Sequence, residues 1–523
     1  MRNEKMASGV ALLWVTMAAA AQTLPPQRVE VTEISVLGNT LLPQAQVDAA
    51  LSTFKGRMDM DDLKRAARTL QALYHQAGYS TVVTFLPEQA VAQGRLVIGV
   101  LEGRIARIAV VGQRRFSAEN IRRSVPALAE GRTPRIRQVD AQVQMANDNP
   151  AKKLAVTLEP GAKRGDIDAT LTVTEQPVAR WTLQADNTGS TQTGRSRLML
   201  GFEHSALWGL DHQLAAQVQI SPQKPGAVRV LMGSYRMPLY GSGLTVGLYG
   251  SHSNVDSGAT STEAGTLQFI GRGRAAGVSV SRQLERVGEL DGRLVLSLER
   301  RDYLNDCSIE GLPDGACGTA GASVVVHPLS LEYTARQGGP AAFGFNLQLS
   351  RNLAIGGALS RQLDAVRPGA TRDFTVVRGG FGLTRALAGG AALSWRLSAQ
   401  ASAQALVPGE QFGATGAYAV RGYDEREVTG DSGLTASMEW QSARPVGGAL
   451  QWVAFADVGM ASNHFSATCD GQRTRCQVGS VGVGTRVWLG ASSWKVDLGV
   501  PLADGRWSRS GSPRVHVQAA LPL

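Results

Sequence analysis

The residues best placed for specific chemistry in this chain are Val420, Arg421, Gly422 and Tyr423, within the string AYAVRGYDEREVTGDSG. A guanidinium carries a rigid fork of N–H donors that suits two-point capture of a carboxylate. Here it sits between apolar Val420 and a Gly-Tyr pair, in a long polar loop joining two stretches that alternate apolar and polar residues. That is the pattern of a loop folded back into a membrane β-barrel. A carboxylate in an unusual position follows in QWVAFADVGM. Asp457 shares a strand face with Phe455, so it must point at water or at a cation. On these residues alone, separate solvation of Arg421 and Asp457 is the simpler reading.

Other candidate strings carry less. Gly430-Asp431-Ser432-Gly433 looks like a serine-protease nucleophile segment, but it lacks a following Gly-Pro and no histidine context supports a triad. Gly271-Arg272-Gly273 does not open a helix after a strand of a parallel sheet, which argues against a dinucleotide site. The seven histidines are scattered with no HxH or HExxH spacing. No catalytic constellation is evident, so neither an enzyme nor a cofactor is expected. The four cysteines form two close pairs, Cys307 with Cys317 and Cys469 with Cys476, each in a polar glycine-containing loop. Without CxxC spacing a zinc site is rejected, and two hairpin-loop disulfides in an oxidising compartment are expected.

The compartment is indicated at the N-terminus. Arg2 and Lys5 precede a short apolar stretch and Ala19-Ala20-Ala21, so residues 1–21 read as a signal peptide. No later apolar run is long enough for a membrane helix. The net charge of +10 raises nucleic acid as a partner, but zinc-ligand spacing and a dense basic helix are both lacking, and the leader argues against it. Basic residues lining a pore or facing lipopolysaccharide phosphates explain the charge more simply.

Two small α+β modules should follow. Residues 28–104 read β-α-α-β-β, from the strand VEVTEISVLGNT to RLVIGVL. Asp59 caps the clearer helix, whose apolar face is Leu63, Ala66, Ala67, Leu70, Tyr74 and Ala77, and Gly78 ends it. Residues 105–176 repeat the order more weakly, with Ser117 opening a helix. From residue 177 to 523 helical periodicity gives way to dyad alternation. Leu393, Trp395 and Leu397 alternate with Ser394, Arg396 and Ser398, the pattern of lipid on one side and water on the other. This region supplies about 22 residues for each of sixteen antiparallel strands. The count places VRGY in the sixth outer loop, Cys307/Cys317 in the fourth and Cys469/Cys476 in the seventh.

With these elements the mature chain resembles the two-partner secretion transporters of the Omp85 superfamily, the haemolysin and filamentous-haemagglutinin exporters. The resemblance rests on AYAVRGYDEREVTGDSG, QWVAFADVGM, SVGVGTRVWLG, VDLGVPL and the first-hairpin string DNTGSTQTGRSRL. It implies two periplasmic POTRA domains ahead of a sixteen-stranded outer-membrane barrel, with the sixth loop folded into the lumen and Arg421 paired with Asp457. It further implies a translocator, not an enzyme, that secretes an unfolded exoprotein, a large β-helical adhesin or haemolysin. Outer-membrane lipid and the barrel-assembly machinery would be its other partners. A barrel-assembly factor is the alternative, against which two modules argue; a passive porin leaves the modules without a role. Family members often carry an N-terminal plug helix; here only Gln22 to Gln27 precede the first module, so none is expected.

Overall fold

The computed structural model describes residues 28–89, 92–190, 193–226, 228–255, 259–262, 265–268, 271–304, 323–444 and 448–523. The signal peptide and the Cys307–Cys317 pair, both expected from the sequence, lie outside these residues. The chain divides into two compact units, one ending at Gly103 and one beginning at Arg104.

The first unit contains β1 (Val29–Val31), β2 (Glu33–Leu37), α1 (Gln44–Leu51), β3 (Gly56–Met58), α2 (Met60–Gln76), β4 (Val83–Phe85) and β5 (Arg95–Leu101). β2 runs parallel to β5, and β4 pairs antiparallel on its other side. The single strand expected at VEVTEISVLGNT is in fact two. Thr32 donates its N–H to Gly94 O at 2.8 Å, and the stretch before it pairs instead with β3, an element missed in the sequence. TVVTFL is also shorter than expected, pairing only over Val83–Phe85, with Gln71 on α2 accepting the Thr84 N–H at 3.2 Å. Helix α2 follows its pattern closely. Asp59 accepts N–H groups from Asp61 and Asp62, and Asp62 returns a carboxylate to the Asp59 N–H in a capping box. Leu63, Ala66, Leu70 and Tyr74 are buried against Val47, Leu96 and Ile98.

The second unit begins with β6 (Arg104–Val111), α3 (Ala118–Ser124), α4 (Ile136–Asn147), β7 (Lys152–Pro160) and β8 (Asp166–Glu175). Ser117 caps α3 by accepting the Asn120 N–H at 3.0 Å. This module is joined to the barrel by more than a linker. Tyr240, from a turn between barrel strands, enters its apolar core. Asp211, from another such turn, is buried and accepts from Lys152 Nζ at 2.6 Å, Tyr240 Oη at 2.6 Å and Asn149 Nδ2 at 3.0 Å. Burial pushes the Lys152 ammonium below its ordinary range, and Asp211 opposes the shift.

Sixteen antiparallel strands close the barrel, from Ala179–Asp186 to Arg514–Pro522, which pairs back onto the first. The eighth is broken at His327 into Val324–Val326 and Pro328–Gln337, both paired with the seventh, Asp291–Leu304. Side-chain direction follows from register, since directly opposed residues face the same side. Arg396 lies opposite Ser437, Ser437 opposite Asp457, and Asp457 opposite Ser480. Arg396 therefore shares the lumenal face with Asp457, and Trp395 and Leu397 face lipid. Among the described residues, one α-helix interrupts the all-strand reading of residues 177–523. Ser360–Val366 lies between the ninth strand (Ala341–Asn352) and the tenth (Thr375–Ala386). At two turns it is too short for a periodic signal, and tertiary packing sustains it: Leu363 is buried with Val324, Val326, Phe374 and Leu406.

Candidate functional site: a loop seated in the barrel lumen

The eleventh strand (Ala392–Ser402) and the twelfth (Ser432–Gln441) are joined by the loop that carries VRGY. Instead of standing in solvent, much of the loop is buried, and Arg421 and Tyr423 are both 0% exposed. Arg421 Nε donates to Asp457 Oδ2 at 2.7 Å and Nη2 donates to Asp457 Oδ1 at 2.9 Å, a two-point contact. The Arg421 backbone N–H adds a third bond to Asp457 Oδ2 at 3.2 Å. The far nitrogen, Nη1, reaches Glu439 at 2.9 Å and Asp497 at 3.2 Å. Below the guanidinium plane lies Phe455, its ring centroid 3.4 Å from Cζ.

Three strands thus contribute carboxylates: the twelfth, the thirteenth (Leu450–Ser462) and the fifteenth (Ser492–Pro501). Two further cations share them. Arg486 bonds Asp497 at 2.6 Å and Glu439 at 3.3 Å, and Lys495 lies 3.5 Å from Asp497. Three cations and three carboxylates therefore balance among largely buried side chains, where an unmatched charge would be costly.

The neighbours of Arg421 lock the loop by shape. Gly422 has φ of +92°, and a side chain there would come within 3.1 Å of the Gly499 backbone. Its N–H donates to His516 Nε2 at 2.9 Å. Tyr423 Oη lies 2.8 Å from Ala503 O and 3.1 Å from Gly479 O. Val420 rests on Gly459, where a Cβ would approach it to 2.8 Å.

The loop is pinned at both roots too. Glu410 accepts from Arg301 at 2.7 Å, Arg378 at 3.1 Å and Tyr303 at 2.8 Å. Asp431, from the GDSG string, is buried and accepts from Arg367 at 3.0 Å and from the Leu406 and His464 N–H groups at 2.9 and 2.8 Å. These contacts give that aspartate a structural role. Cys469 and Cys476 are bonded to each other and packed with Val420 and Tyr423. Among the described residues, the one grouping spaced for a metal is Cys469, Asp470 and Cys476, and its two sulfurs are consumed by that bond.

A barrel with its sixth loop folded inward, behind two α+β modules, matches the family model described as haemolysin secretion/activation protein ShlB/FhaC/HecB over residues 165–487. Residues 29–103 match the ShlB-type POTRA domain. The chain belongs to this family. It is an outer-membrane translocator of two-partner secretion, with its POTRA domains in the periplasm. The outer membrane transporter CdiB of Dickeya dadantii is 24% identical over 497 residues, covering 94% of this chain and 86% of that protein. The solved CdiB from Escherichia coli shares the fold at 20% identity, with a TM-score of 0.76 over 97% of this chain and 93% of that one. CdiB from Acinetobacter baumannii does so at 18% identity, with a TM-score of 0.73 over 96% and 91%.

The sequence reading named Arg421 and Asp457 but missed Glu439, Asp497, Arg486 and His516. A signal was present for one: Asp497 interrupts the apolar VDLGVPL at a position that alternation turns inward. Glu439 and Arg486 sit in strands whose lumenal faces are polar throughout, where one more charge does not stand out.

Proposed function

We propose that the VRGY loop is the fixed internal strut of this translocator, and that Arg421 sets its position by engaging Asp457, Glu439 and Asp497. The single observation behind this reading is the balanced six-charge cluster centred on a fully buried arginine. A loop held this way narrows the lumen and defines the wall along which an extended polypeptide slides. Residues 1–21 direct export, and residues 28–104 and 105–176 act as two POTRA domains that receive the unfolded exoprotein. Such recognition uses strand addition to an exposed sheet edge together with an apolar groove beside a helix. The cargo class we favour is a large β-helical adhesin or haemolysin. No nucleotide-binding motif is evident in the sequence, so folding or capture of the cargo outside supplies direction.

The deciding experiment co-expresses the chain with a β-helical exoprotein of the two-partner secretion type and measures surface-exposed cargo. Arg421→Ala should abolish most export while the barrel keeps its heat-modifiable mobility on gels. Wild-type export by that variant would remove the proposed role of the loop.

A further inference from the structure

Two parts of the molecule obstruct the lumen from different sides. The first is the second POTRA domain at the periplasmic mouth. Asp148, at the end of α4, accepts from Arg293 on the seventh strand and lies 4.0 Å from Arg236 on the fourth (Arg229–Leu239). Gln144 accepts from Gln283 on the sixth (Gly271–Gln283) at 2.9 Å. Arg293 is lumenal, because its row of opposed residues passes through Thr334, Asn346 and Gly380 to Ser398, on the face of Arg396. Together with Asp211 and Tyr240, these contacts place the domain under strands two to seven.

The second obstruction is the VRGY loop. On its side of the barrel Glu439, Asp457, Ser480, Asp497 and His516, one from each of strands twelve to sixteen, are buried. Between the two obstructions lies the wall of strands nine to eleven, where Arg396 and Ser398 turn exposed side chains to the lumen.

The charge on this wall is uneven. Arg378, on the tenth strand, is held by Glu410. Arg396 has no carboxylate within 4 Å among the described residues, and its hydrogen bond is to Ser437 Oγ at 3.5 Å. Gly380, Gly382 and Thr384 face it from the tenth strand, and Thr435, Ser437 and Glu439 from the twelfth. Glu439 is already shared by Arg421 and Arg486. The six-charge cluster balances without Arg396, which therefore stands as a fourth cation beside three carboxylates. It also comes first. Arg396 is the fifth residue of a strand that rises from the periplasm, and Asp457 the eighth of another, so an entering chain passes Arg396 before the cluster.

We propose that the unfolded exoprotein passes along the wall of strands nine to eleven, and that Arg396 is the residue that meets its carboxylates. This path rests on the reading of the VRGY loop as a fixed strut, which forms the opposite side of the passage. A solvated arginine attracts a carboxylate only weakly at high dielectric, so it guides an acidic stretch without trapping it.

The role of Arg396 is tested electrically, with purified full-length protein in planar bilayers under a potassium chloride gradient. The wild-type reversal potential should show a preference for chloride. Arg396→Gln should lower the chloride-to-potassium permeability ratio about fivefold, the equivalent of about 1 kcal/mol for one charge at contact in water. Arg396→Glu should reverse the preference. Heat-modifiable mobility confirms that each variant is folded. An unchanged ratio in both variants would overturn the role of Arg396.

The path is tested by disulfide capture. A co-expressed β-helical exoprotein of the two-partner secretion type, carrying a single cysteine, should crosslink to Ser398→Cys and not to Ser234→Cys, which faces the lumen from the fourth strand. Equal capture at both positions, capture at position 234 alone, or export without capture at position 398 would each overturn the path. The loop reading fails separately, by normal export in Arg421→Ala.

Discussion

The core of the first POTRA domain and the seat of Arg421 solve opposite problems with opposite residues. In the domain, Val47, Leu70, Tyr74 and Ile98 are buried together and the ion pairs are left at the surface, as in Arg57–Glu30 and Arg95–Glu33. In the barrel the strands turn apolar side chains to lipid, and at the seat of Arg421 it is charge that holds the interior. Arg421, Asp457 and Asp497 are as deeply buried as Leu70. An apolar core tolerates changes that conserve volume, whereas a charge cluster tolerates no missing member. The inside of the domain is therefore set by volume, and the inside of the barrel by stoichiometry and angle.

The contrast should show first in Arg421→Ala. Losing one partner of a buried ionic group costs about 3–5 kcal/mol, and a lumen that admits water will bring the value toward the lower end. Export should fall severely with the barrel still inserted. Arg421→Lys should rescue little, because an ammonium cannot reproduce the two-point contact with Asp457. The double variant Arg421→Ala/Asp457→Ala should lose less than the sum of the single losses. Strictly additive losses in an export assay would mean that the two residues act separately.

Leu70→Ala tests the other side. It should cost about 2–5 kcal/mol and lower the thermal transition of the first unit. The heat-modifiable behaviour of the barrel should not change. A coupled loss of both would dissolve the contrast drawn here.

The covalent pin should matter less. Cys469→Ser with Cys476→Ser should cost about 2–3 kcal/mol, by the entropy of the short loop it closes, and should weaken export at raised temperature before it does so at ambient temperature. Thiol labelling of denatured, unreduced wild-type protein should find neither of these cysteines free. The same experiment tests the expected Cys307–Cys317 bond.

The smallest effect concerns Glu175, at the end of the second POTRA domain. Burial disfavours its charged form, but N–H groups of Arg114, Arg115 and Phe116 donate to it at 2.8, 3.0 and 3.2 Å, and its pKa is lowered overall. A carboxyl group with a folded-state pKa below its unfolded one stabilises fully above the ordinary carboxylate range. That contribution is lost as pH falls through the lowered value. Thermal melts of Glu175→Gln and wild type should therefore differ at neutral pH and converge in acid. A constant difference would assign Glu175 a role independent of its charge.

Local rules were enough for much of this molecule. The capping box at Asp59, the apolar face through Leu70 and Tyr74, and the alternation through Trp395 and Leu397 each depend on residues a few positions apart, so they are legible in the chain. The same locality explains the misses. The short β3 and the helix Ser360–Val366 exist because of partners far away in sequence, not because of their own pattern. Asp457 could be recognised as a carboxylate that must face water or a cation. That its arginine would also be shared with Glu439 and Asp497 could not be read, because those residues meet only when a closed barrel of a particular register brings three strands around one loop. Alternation decides which side a residue faces; closure and register decide whom it meets there. The sequence by itself determined the barrel, the two modules and the inward carboxylate, and the tertiary structure alone decided how many charges the buried arginine must balance.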